Sequence, residues 1–477
     1  MVALPLDEDF RTGRKRYVLY GGIALLVVLS LDNSTVLEIL HDKKYKKQSI
    51  KKLSGAIQQP PVDEAPEVWK KFSKFHDYLE QAFPLVYKNL EVTKVNTYGL
   101  VYAWKGTDKK LKPLLLTAHQ DTVPIQKDTL KQWTYPPLEG HFDGEFIYGR
   151  GAADCKNVLI AILETLELLL SKGFEPKRPI VAAFGLTKKL LDSTVLPASA
   201  SPGITTDALT NAIFATPGTG EKGYVDIQVE LTTPGGHSSI PPDHTSIGII
   251  SELNYVIEKD PYHPILTERN PILNYAQCVA LHDPKDQIPS GLKKSILRAG
   301  YDKFANSIVV DAFLKNRLTK YLIRTSQAID IINGGEKANA LPENTKILVN
   351  HRVAIESTVE EVQWHFVHRV VEVAKRHNLS VVAYDKDVHR YDQDSGLFNV
   401  TIYNGPLNSA PVTPTTTPHY WNLTRNIFRF TPAFIGDFIG DTHIHSVDEK
   451  LPFDSHLQLQ AWFYEYIQAI DSAKANN

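Results

Sequence analysis

The chain has 477 residues, of which 43% are hydrophobic and 22% charged, enough for two soluble globular domains with sizeable cores. The net charge of −2, from 52 basic and 54 acidic residues, offers no electrostatic surface for nucleic acid, so no nucleic-acid partner is expected. Only two cysteines occur, Cys155 and Cys278, which excludes a disulfide framework and indicates reduced thiols.

The chain begins with a basic segment followed by an apolar run. Arg11, Arg14, Lys15 and Arg16 precede residues 17–31, and these fifteen residues carry no charge. As a helix they would span about 22 Å, short of the ~30 Å hydrocarbon core unless neighbours contribute. The pattern predicts a cytoplasmic tail (1–16) and an uncleaved signal-anchor (17–31), and hence a type II membrane protein with its body in the vacuolar or another secretory-pathway lumen. A cleaved signal peptide, which would make the protein secreted, and a buried helix are the alternatives.

Four N-glycosylation sequons, at Asn33, Asn378, Asn399 and Asn422, agree with a lumenal body. Between the apolar run and the first apolar core segment, residues 32–60 are polar and rich in lysine. We interpret this stretch as a stalk, with an early surface helix as the alternative.

Short apolar segments further along the chain predict an α/β sheet domain interrupted by a second domain. A strand over 113–118, a buried helix over 158–170 and a strand over 180–184 form a βαβ pattern. From Gly223, apolar and polar residues alternate, which predicts a strand with one solvated face, followed by a helix (246–257) and a strand near 328–332. A capping box, Ser357-Thr-Val-Glu360, predicts that the main domain resumes with a helix that runs to Val373.

Three motifs carry groups suited to metal chemistry. His119 and Asp121 follow a buried strand two residues apart, so Asp121 can accept one ring hydrogen of His119 and leave the other nitrogen for a metal. Asp154 lies after two glycines, where the long apolar helix begins. Near the C-terminus, His445 lies in the segment Asp-Thr-His-Ile-His-Ser-Val-Asp-Glu. Each motif alone is also compatible with an ordinary structural role.

Taken together, in this order, the motifs resemble the aminoacylase/carboxypeptidase family of two-zinc exopeptidases, and within it the vacuolar carboxypeptidase S group of fungi. Gly-Gly-His237-Ser-Ser and Asn-Gly-Gly-Glu-Lys-Ala-Asn339-Ala-Leu-Pro, with Arg352, extend the resemblance. It implies an α/β zinc-peptidase (phosphorylase/hydrolase-like) sheet domain with an inserted α+β lid or dimerisation domain. The alternation from Gly223 and the capping box at Ser357 set the expected boundaries: a metallopeptidase domain over 61–220 and 350–477, with 184–220 degenerate, and a lid over 221–349.

The resemblance also implies a role for each matching residue. His119 and His445 would each bind one of two zinc ions, Asp154 would bridge both, and Asp121 would orient His119. His237 would polarise the scissile carbonyl. Asn339 and Arg352 would contact the terminal carboxylate of a short peptide substrate, and the lid implies a possible homodimer.

The chain departs from the family where the catalytic glutamates are expected. The family's Phe-Gly-His-Asp-Glu-Glu segment here reads Phe184-Gly-Leu-Thr-Lys188-Lys189. Two ammonium groups in place of two carboxylates oppose metal binding and remove the general base. Two hypotheses for the function of the chain follow. It is a carboxypeptidase S-like zinc exopeptidase, or it is a non-catalytic or damaged paralogue that acts, if at all, by binding or dimerisation. The second reading predicts weak or absent zinc binding and an inactive chain.

Overall fold

The computed structural model of the chain describes residues 33–59, 66–185, 203–207, 210, 212–216, 218–283, 286–391, 395–409, 430–436 and 440–472. The chain divides into two compact units. The first unit comprises residues 2–218 and 419–477, and the second unit comprises residues 219–418.

In chain order, the described helices are α1 (Asn33–His41), α2 (Lys43–Ile57), α3 (Phe72–Ala82), α4 (Pro84–Asn89), α5 (Lys156–Ser171), α6 (Ser246–Lys259), α7 (Pro271–Leu281), α8 (Ser290–Arg298), α9 (Lys303–Leu314), α10 (Arg317–Leu322), α11 (Val359–Arg376) and α12 (Phe453–Ser472), with 3₁₀ turns at Pro66–Lys71 and Lys127–Gln132. The described strands are β1 (Glu91–Val95), β2 (Gly99–Trp104), β3 (Leu114–His119), β4 (His141–Phe142), β5 (Phe146–Tyr148), β6 (Ile180–Gly185), β7 (Ile204–Thr206), β8 (Ile213–Ala215), β9 (Gly223–Thr232), β10 (Gly236–His237), β11 (Ser326–Gly334), β12 (Ala340–Leu341), β13 (Asn344–Val353), β14 (Ser380–Ala383), β15 (Lys386–His389), β16 (Leu397–Ile402) and β17 (Lys450–Pro452).

The first unit contains the predicted βαβ pattern. Its four-stranded sheet has the order β1-β2-β6-β3, in which β3 and β6 are parallel and the other pairs antiparallel. Helix α5 connects β3 to β6 and packs against β3, α2, α4 and α12. Because the sequence of α5 is apolar on nearly all sides, the helix can be covered on every face. A smaller antiparallel sheet joins β17, β5 and β4.

The segment predicted as a stalk is instead part of the first unit. Residues 32–60 contain α1 and α2; the lysines, all of them in α2, are exposed or partly exposed, while Ile39, Leu53 and Ile57 are fully buried in the core. The Nζ of Lys156 donates a hydrogen bond to the carbonyl oxygen of Ala56 at 2.8 Å, at the C-terminal end of α2. The overall polarity of the segment concealed a narrow apolar face, which is enough to dock a helix.

The second unit is built on a six-stranded sheet of order β11-β13-β9-β16-β14-β15. The alternation predicted from Gly223 is present in β9, where Val225, Ile227 and Val229 are buried and Glu230 is half-buried. Helices α6 and α11 pack on the sheet and cover these side chains. The second unit lies in sequence between the two parts of the first, so the fold is the predicted α/β sheet domain with an inserted α+β domain.

The second unit extends further along the chain than the sequence suggested. Residues 350–409 were assigned to the main domain, but β13 continues to Val353, and β16 pairs with β9 in the same sheet. The capping box is also displaced by one residue. The Thr358 hydroxyl accepts from the Glu361 backbone N–H at 3.2 Å, and the Glu361 carboxylate accepts from the Thr358 N–H at 2.9 Å. Both Ser357 and Thr358 can cap a helix, so the register was decided by the packing of α11.

The predicted membrane localisation is wrong for the part of the chain that the structure describes. Across the residues that the structure describes, none of the helices combines the length and the apolar character that crossing a bilayer requires. The predicted tail (1–16) and signal-anchor (17–31) lie outside the described residues. Of the segment 184–220, the described part includes β7 and β8, which pair with each other. Both cysteines are buried, and neither is part of a disulfide.

Candidate metal centre

The first unit brings His119, Asp154 and His445 together from three distant parts of the chain. His119 ends strand β3, Asp154 precedes helix α5, and His445 lies in the loop before β17. The Asp154 carboxylate places Oδ1 3.0 Å from His119 Nε2 and Oδ2 2.7 Å from His445 Nε2. Each carboxylate oxygen therefore faces a different imidazole nitrogen, which is the arrangement of a bridging carboxylate.

The hydrogen bond expected between Asp121 and His119 is present, with His119 Nδ1 2.8 Å from Asp121 Oδ1. Since a carboxylate accepts a hydrogen bond, Nδ1 carries a proton toward Asp121, and Nε2 is the ring nitrogen left to face Asp154 and a metal. Burial by itself lowers the pKa of His119, but the groups beside it, Cys155 first and then Asp154, raise that pKa well above its usual range. The electrostatic environment of this position therefore favours a cation.

The donor set fits a metal ion at the first histidine. Ligand atoms of His119, Asp154 and Cys155 lie within 4.8 Å of one another, and all three residues are buried. Imidazole, carboxylate and thiolate are the groups that zinc prefers in proteins. The described residues thus supply a set of donors beside Asp154 that could hold a metal ion.

The two histidines differ in their surroundings. The side chain of His119 is 2% exposed, whereas that of His445 is 43% exposed. His445 also has a backbone φ of +62°, in the left-handed region that a residue with a Cβ rarely adopts. The candidate ligand on β3 is held within the core, while the candidate ligand near the C-terminus lies in an open loop whose backbone conformation must be maintained by other contacts.

A glycine lets the loop before α5 approach β3. Gly151 has a φ of +92°, and a Cβ at this position would lie 2.7 Å from Thr122 Cγ2. Only glycine fits both the backbone conformation and this space. The two glycines that the sequence singled out before Asp154 therefore belong to the turn that carries the carboxylate to the histidines.

The segment that departs from the family pattern begins beside this centre. Gly185, the last residue of β6, pairs with His119 in the parallel register of β3 and β6. The next residues, including Lys188 and Lys189, lie outside the described residues. Strand β6 therefore ends at the same end of the sheet as His119.

The substrate-binding candidates lie in the second unit. His237 in β10 pairs with Ala340 in β12, which places it next to Asn339. Arg352 lies on β13 with its guanidinium 5.9 Å from the Tyr224 ring. His237, Asn339 and Arg352 are all exposed, so their side chains are accessible to a ligand.

For two of the four glycosylation candidates the structure describes both the backbone and the exposure of the side chain. Asn378 is exposed and follows α11 with a φ of +56°, a conformation that Asn adopts more readily than most residues. Asn399 lies inside β16, between β9 and β14, and its side chain is partly covered. Asn422 lies outside the described residues, and of Asn33 only the backbone is described.

Sequence reasoning assigned no role to Arg150 and Glu449, which the structure places beside the centre. Both are almost fully buried, and the Glu449 carboxylate accepts the backbone N–H groups of Gly151 and Ala153 at 2.9 and 3.0 Å. The available signal was a glutamate four residues after the candidate ligand His445. Without the fold, that glutamate could not be distinguished from a solvated one.

Comparison with known proteins agrees with this architecture. The sequence profile of "Peptidase family M20/M25/M40" matches residues 115–186, and that of "Peptidase dimerisation domain" matches residues 219–378. Carboxypeptidase S of Saccharomyces cerevisiae is 36% identical, over 90% of this chain and 85% of that protein. A putative carboxypeptidase of the same yeast is 35% identical, over 91% of this chain and 86% of that protein.

Among solved structures, the dipeptidase Dug1p of Saccharomyces cerevisiae superposes with a TM-score of 0.60, over 93% of this chain and 99% of that chain, at 13% identity. This likeness concerns the fold alone. The yeast relatives, the two matched profiles and the shared architecture lead to one conclusion: the chain belongs to the metal-dependent peptidase family M20/M25/M40, as a carboxypeptidase S-like member with a peptidase dimerisation domain.

Proposed function

We propose that this chain is a zinc-dependent exopeptidase that removes the C-terminal residue from short peptides. The observation that carries the proposal is the position of the Asp154 carboxylate, which directs one oxygen to His119 and the other to His445. Similarity to yeast carboxypeptidase S supports the reaction class. A bound zinc ion supplies a Lewis acid and a water molecule that loses its proton near neutral pH.

The chain's own residues have separate tasks in this proposal. Asp121 holds the His119 ring so that Nε2 points toward Asp154. In the second unit, His237 donates a hydrogen bond to the peptide carbonyl oxygen, and Asn339 and Arg352 bind the terminal carboxylate. All three side chains are exposed, so a ligand can reach them. The guanidinium of Arg352 is also suited to a carboxylate, which it can bind through two parallel hydrogen bonds.

We also propose that two copies of the chain associate through the second unit. The match to a peptidase dimerisation domain supports this. Strand β11 lies at an edge of the six-stranded sheet, and its Ile331 and Ile332 are 47% and 52% exposed. An edge strand with exposed apolar side chains is a ready surface for pairing with a second copy.

Metal content and hydrolysis of N-blocked dipeptides together test the enzymatic proposal. We expect the purified protein to bind zinc and to hydrolyse the dipeptides in a chelator-sensitive manner. Asp154→Asn should lose both properties, with metal affinity lowered at least about 100-fold, because it removes the group shared by both histidines. Asp77→Asn, an exposed aspartate on α3 of the same unit, is the matched control and should retain both.

The second reading, a chain that binds peptides or dimerises without hydrolysis, is favoured by Lys188 and Lys189. Loss of a general base lowers a rate by about 10²–10⁴-fold, and loss of metal ligands removes the nucleophile as well. This reading predicts well under one zinc per chain and no hydrolysis in the unmodified protein. That result would overturn the enzymatic proposal, whereas stoichiometric zinc with chelator-sensitive hydrolysis would overturn the alternative.

A further inference from the structure

Glu449 is a fully buried carboxylate that the proposed reaction does not use. Its Oε2 lies 2.5 Å from Nη1 of Arg150, itself 4% exposed. Its Oε1 accepts three backbone N–H groups, from Gly151 at 2.9 Å, Ala153 at 3.0 Å and Asp154 at 3.3 Å. Both oxygens are thus engaged by the protein, so Glu449 is not available as a metal ligand.

These contacts connect the two segments that carry the candidate metal ligands. Glu449 lies four residues after His445. Its carboxylate binds the backbone of residues 151–154, and Asp154 is the last of these residues. Arg150, in the segment before Asp154, makes a second contact with the His445 segment, since its Nη2 donates to the Ser446 carbonyl oxygen at 3.2 Å. A backbone hydrogen bond from the Gly149 N–H to the Glu449 carbonyl oxygen, at 2.8 Å, reinforces the same junction.

The loop that carries His445 depends on such contacts. His443, His445 and Asp448 all have positive φ values, of 48°, 62° and 59°. Non-glycine residues pay a conformational cost in this region, so the loop persists only when its surroundings determine it. The Asp448 carboxylate accepts from the N–H and the hydroxyl of Thr134 at 2.7 and 2.8 Å, whereas the neighbouring Glu449 carboxylate accepts from residues 151–154 and so joins the loop to the segment of Asp154.

We propose that Glu449 and Arg150 form a buried clamp that sets the separation of Asp154 and His445 and thereby determines metal affinity at the His445 side of the centre. The metal part of this inference rests on the proposed function. Glu449 and Arg150 are positioning residues, because they act through Asp154 and His445 and touch neither metal nor substrate.

The clamp is tested with Glu449→Gln, which keeps the shape of the side chain but removes its charge. Glu164→Gln is the matched control, because Glu164 is a buried carboxylate of the same unit that binds Ser49, His456 and Gln460 instead. Zinc titration by calorimetry should show an affinity about 10–100-fold lower for Glu449→Gln than for Glu164→Gln. Equal affinities in the two variants would overturn the proposal. If Glu449→Gln fails to fold, Arg150→Lys replaces it, with a loss of affinity in the same direction.

A metal-independent measurement separates the clamp from the proposed function. In metal-free protein labelled with ¹⁵N-histidine, the His445 ring resonances should shift in Glu449→Gln, because the 2.7 Å contact with Asp154 is lost, and should stay unchanged in Glu164→Gln. If the unmodified protein binds no zinc but this shift occurs, the proposed function fails and the clamp stands. Unchanged His445 resonances in Glu449→Gln would overturn the clamp whatever the metal content.

Discussion

Two candidate metal ligands of the first unit, His119 and Asp154, differ in burial from the candidate substrate residues of the second unit. His119 and Asp154 are 2% and 4% exposed and are held by Asp121 and by backbone contacts. His237 and Arg352 are exposed on strands at the surface of their own unit. Buried polar groups require partners inside the protein, so their geometry is set when the chain folds. The orientation of exposed groups is set only by local contacts until a ligand or a second chain binds.

This contrast leads to different expectations for substitutions in the two units. Changes at buried positions of the first unit should act through the folded core and should be large. Changes in the second unit should leave the fold intact and should appear in association or in the kinetics. Three substitutions test this contrast, from the largest expected effect to the smallest.

The largest effect is expected for Leu53→Ala in helix α2. Leu53 is fully buried in the core of the first unit, so the cavity should lower the free energy of unfolding by about 2–5 kcal/mol. Urea unfolding followed by near-ultraviolet circular dichroism measures the change. Leu37→Ala in α1 is the control, because Leu37 is 54% exposed and should cost no more than about 0.5 kcal/mol. Equal effects at the two positions would mean that α2 is not part of the core.

An intermediate effect is expected for Ile332→Lys on strand β11. A lysine on an edge strand opposes strand pairing, so the dissociation constant of the proposed homodimer should rise at least about 10-fold without loss of thermal stability. Sedimentation equilibrium measures the association. Leu281→Lys, at a 65% exposed position on α7, is the matched control and should leave association unchanged. A dimer unaffected by Ile332→Lys would place the interface elsewhere.

The smallest effect is expected for Ser239→Ala beside His237. The Ser239 backbone N–H donates to His237 Nδ1 at 3.2 Å, and the Ser239 hydroxyl lies 2.7 Å from the same atom. Because an N–H group only donates, Nδ1 is the acceptor, and the neutral ring carries its proton on Nε2, ready to donate to a carbonyl. Removal of the hydroxyl should lower kcat about five-fold, equivalent to about 1 kcal/mol, with KM unchanged.

The neighbouring serine provides the control for this experiment. Ser238→Ala should leave kcat unchanged, since the contacts to the His237 ring come from Ser239. Ser239→Thr should restore most of the rate, because it keeps the hydroxyl. A loss of rate in Ser238→Ala equal to that in Ser239→Ala would show that the loop as a whole, rather than the ring proton, is affected.

Local patterns in the sequence were sufficient for the elements with strong periodicity or long apolar runs. Strands β3, β6 and β9 and helix α5 were predicted within a few residues of their observed bounds. Helices α1 and α2 were missed as core elements because the six lysines of α2 dominate the composition of the segment. The boundary at residue 350 was misplaced because β16 returns to pair with β9, and strand pairing between distant segments leaves no local signature.

The sequence by itself determined the identity of the candidate ligands, because His119, Asp154 and His445 lie in motifs whose order along the chain is characteristic of the family. Tertiary structure alone decided how they meet: Asp154 faces both histidines, and Glu449 and Arg150 join the segments that carry them. The physical reason is burial. The sequence alone does not show whether a glutamate such as Glu449 is solvated or buried. Folding removes its carboxylate from water, and a buried carboxylate is stable only when it is paired and hydrogen-bonded.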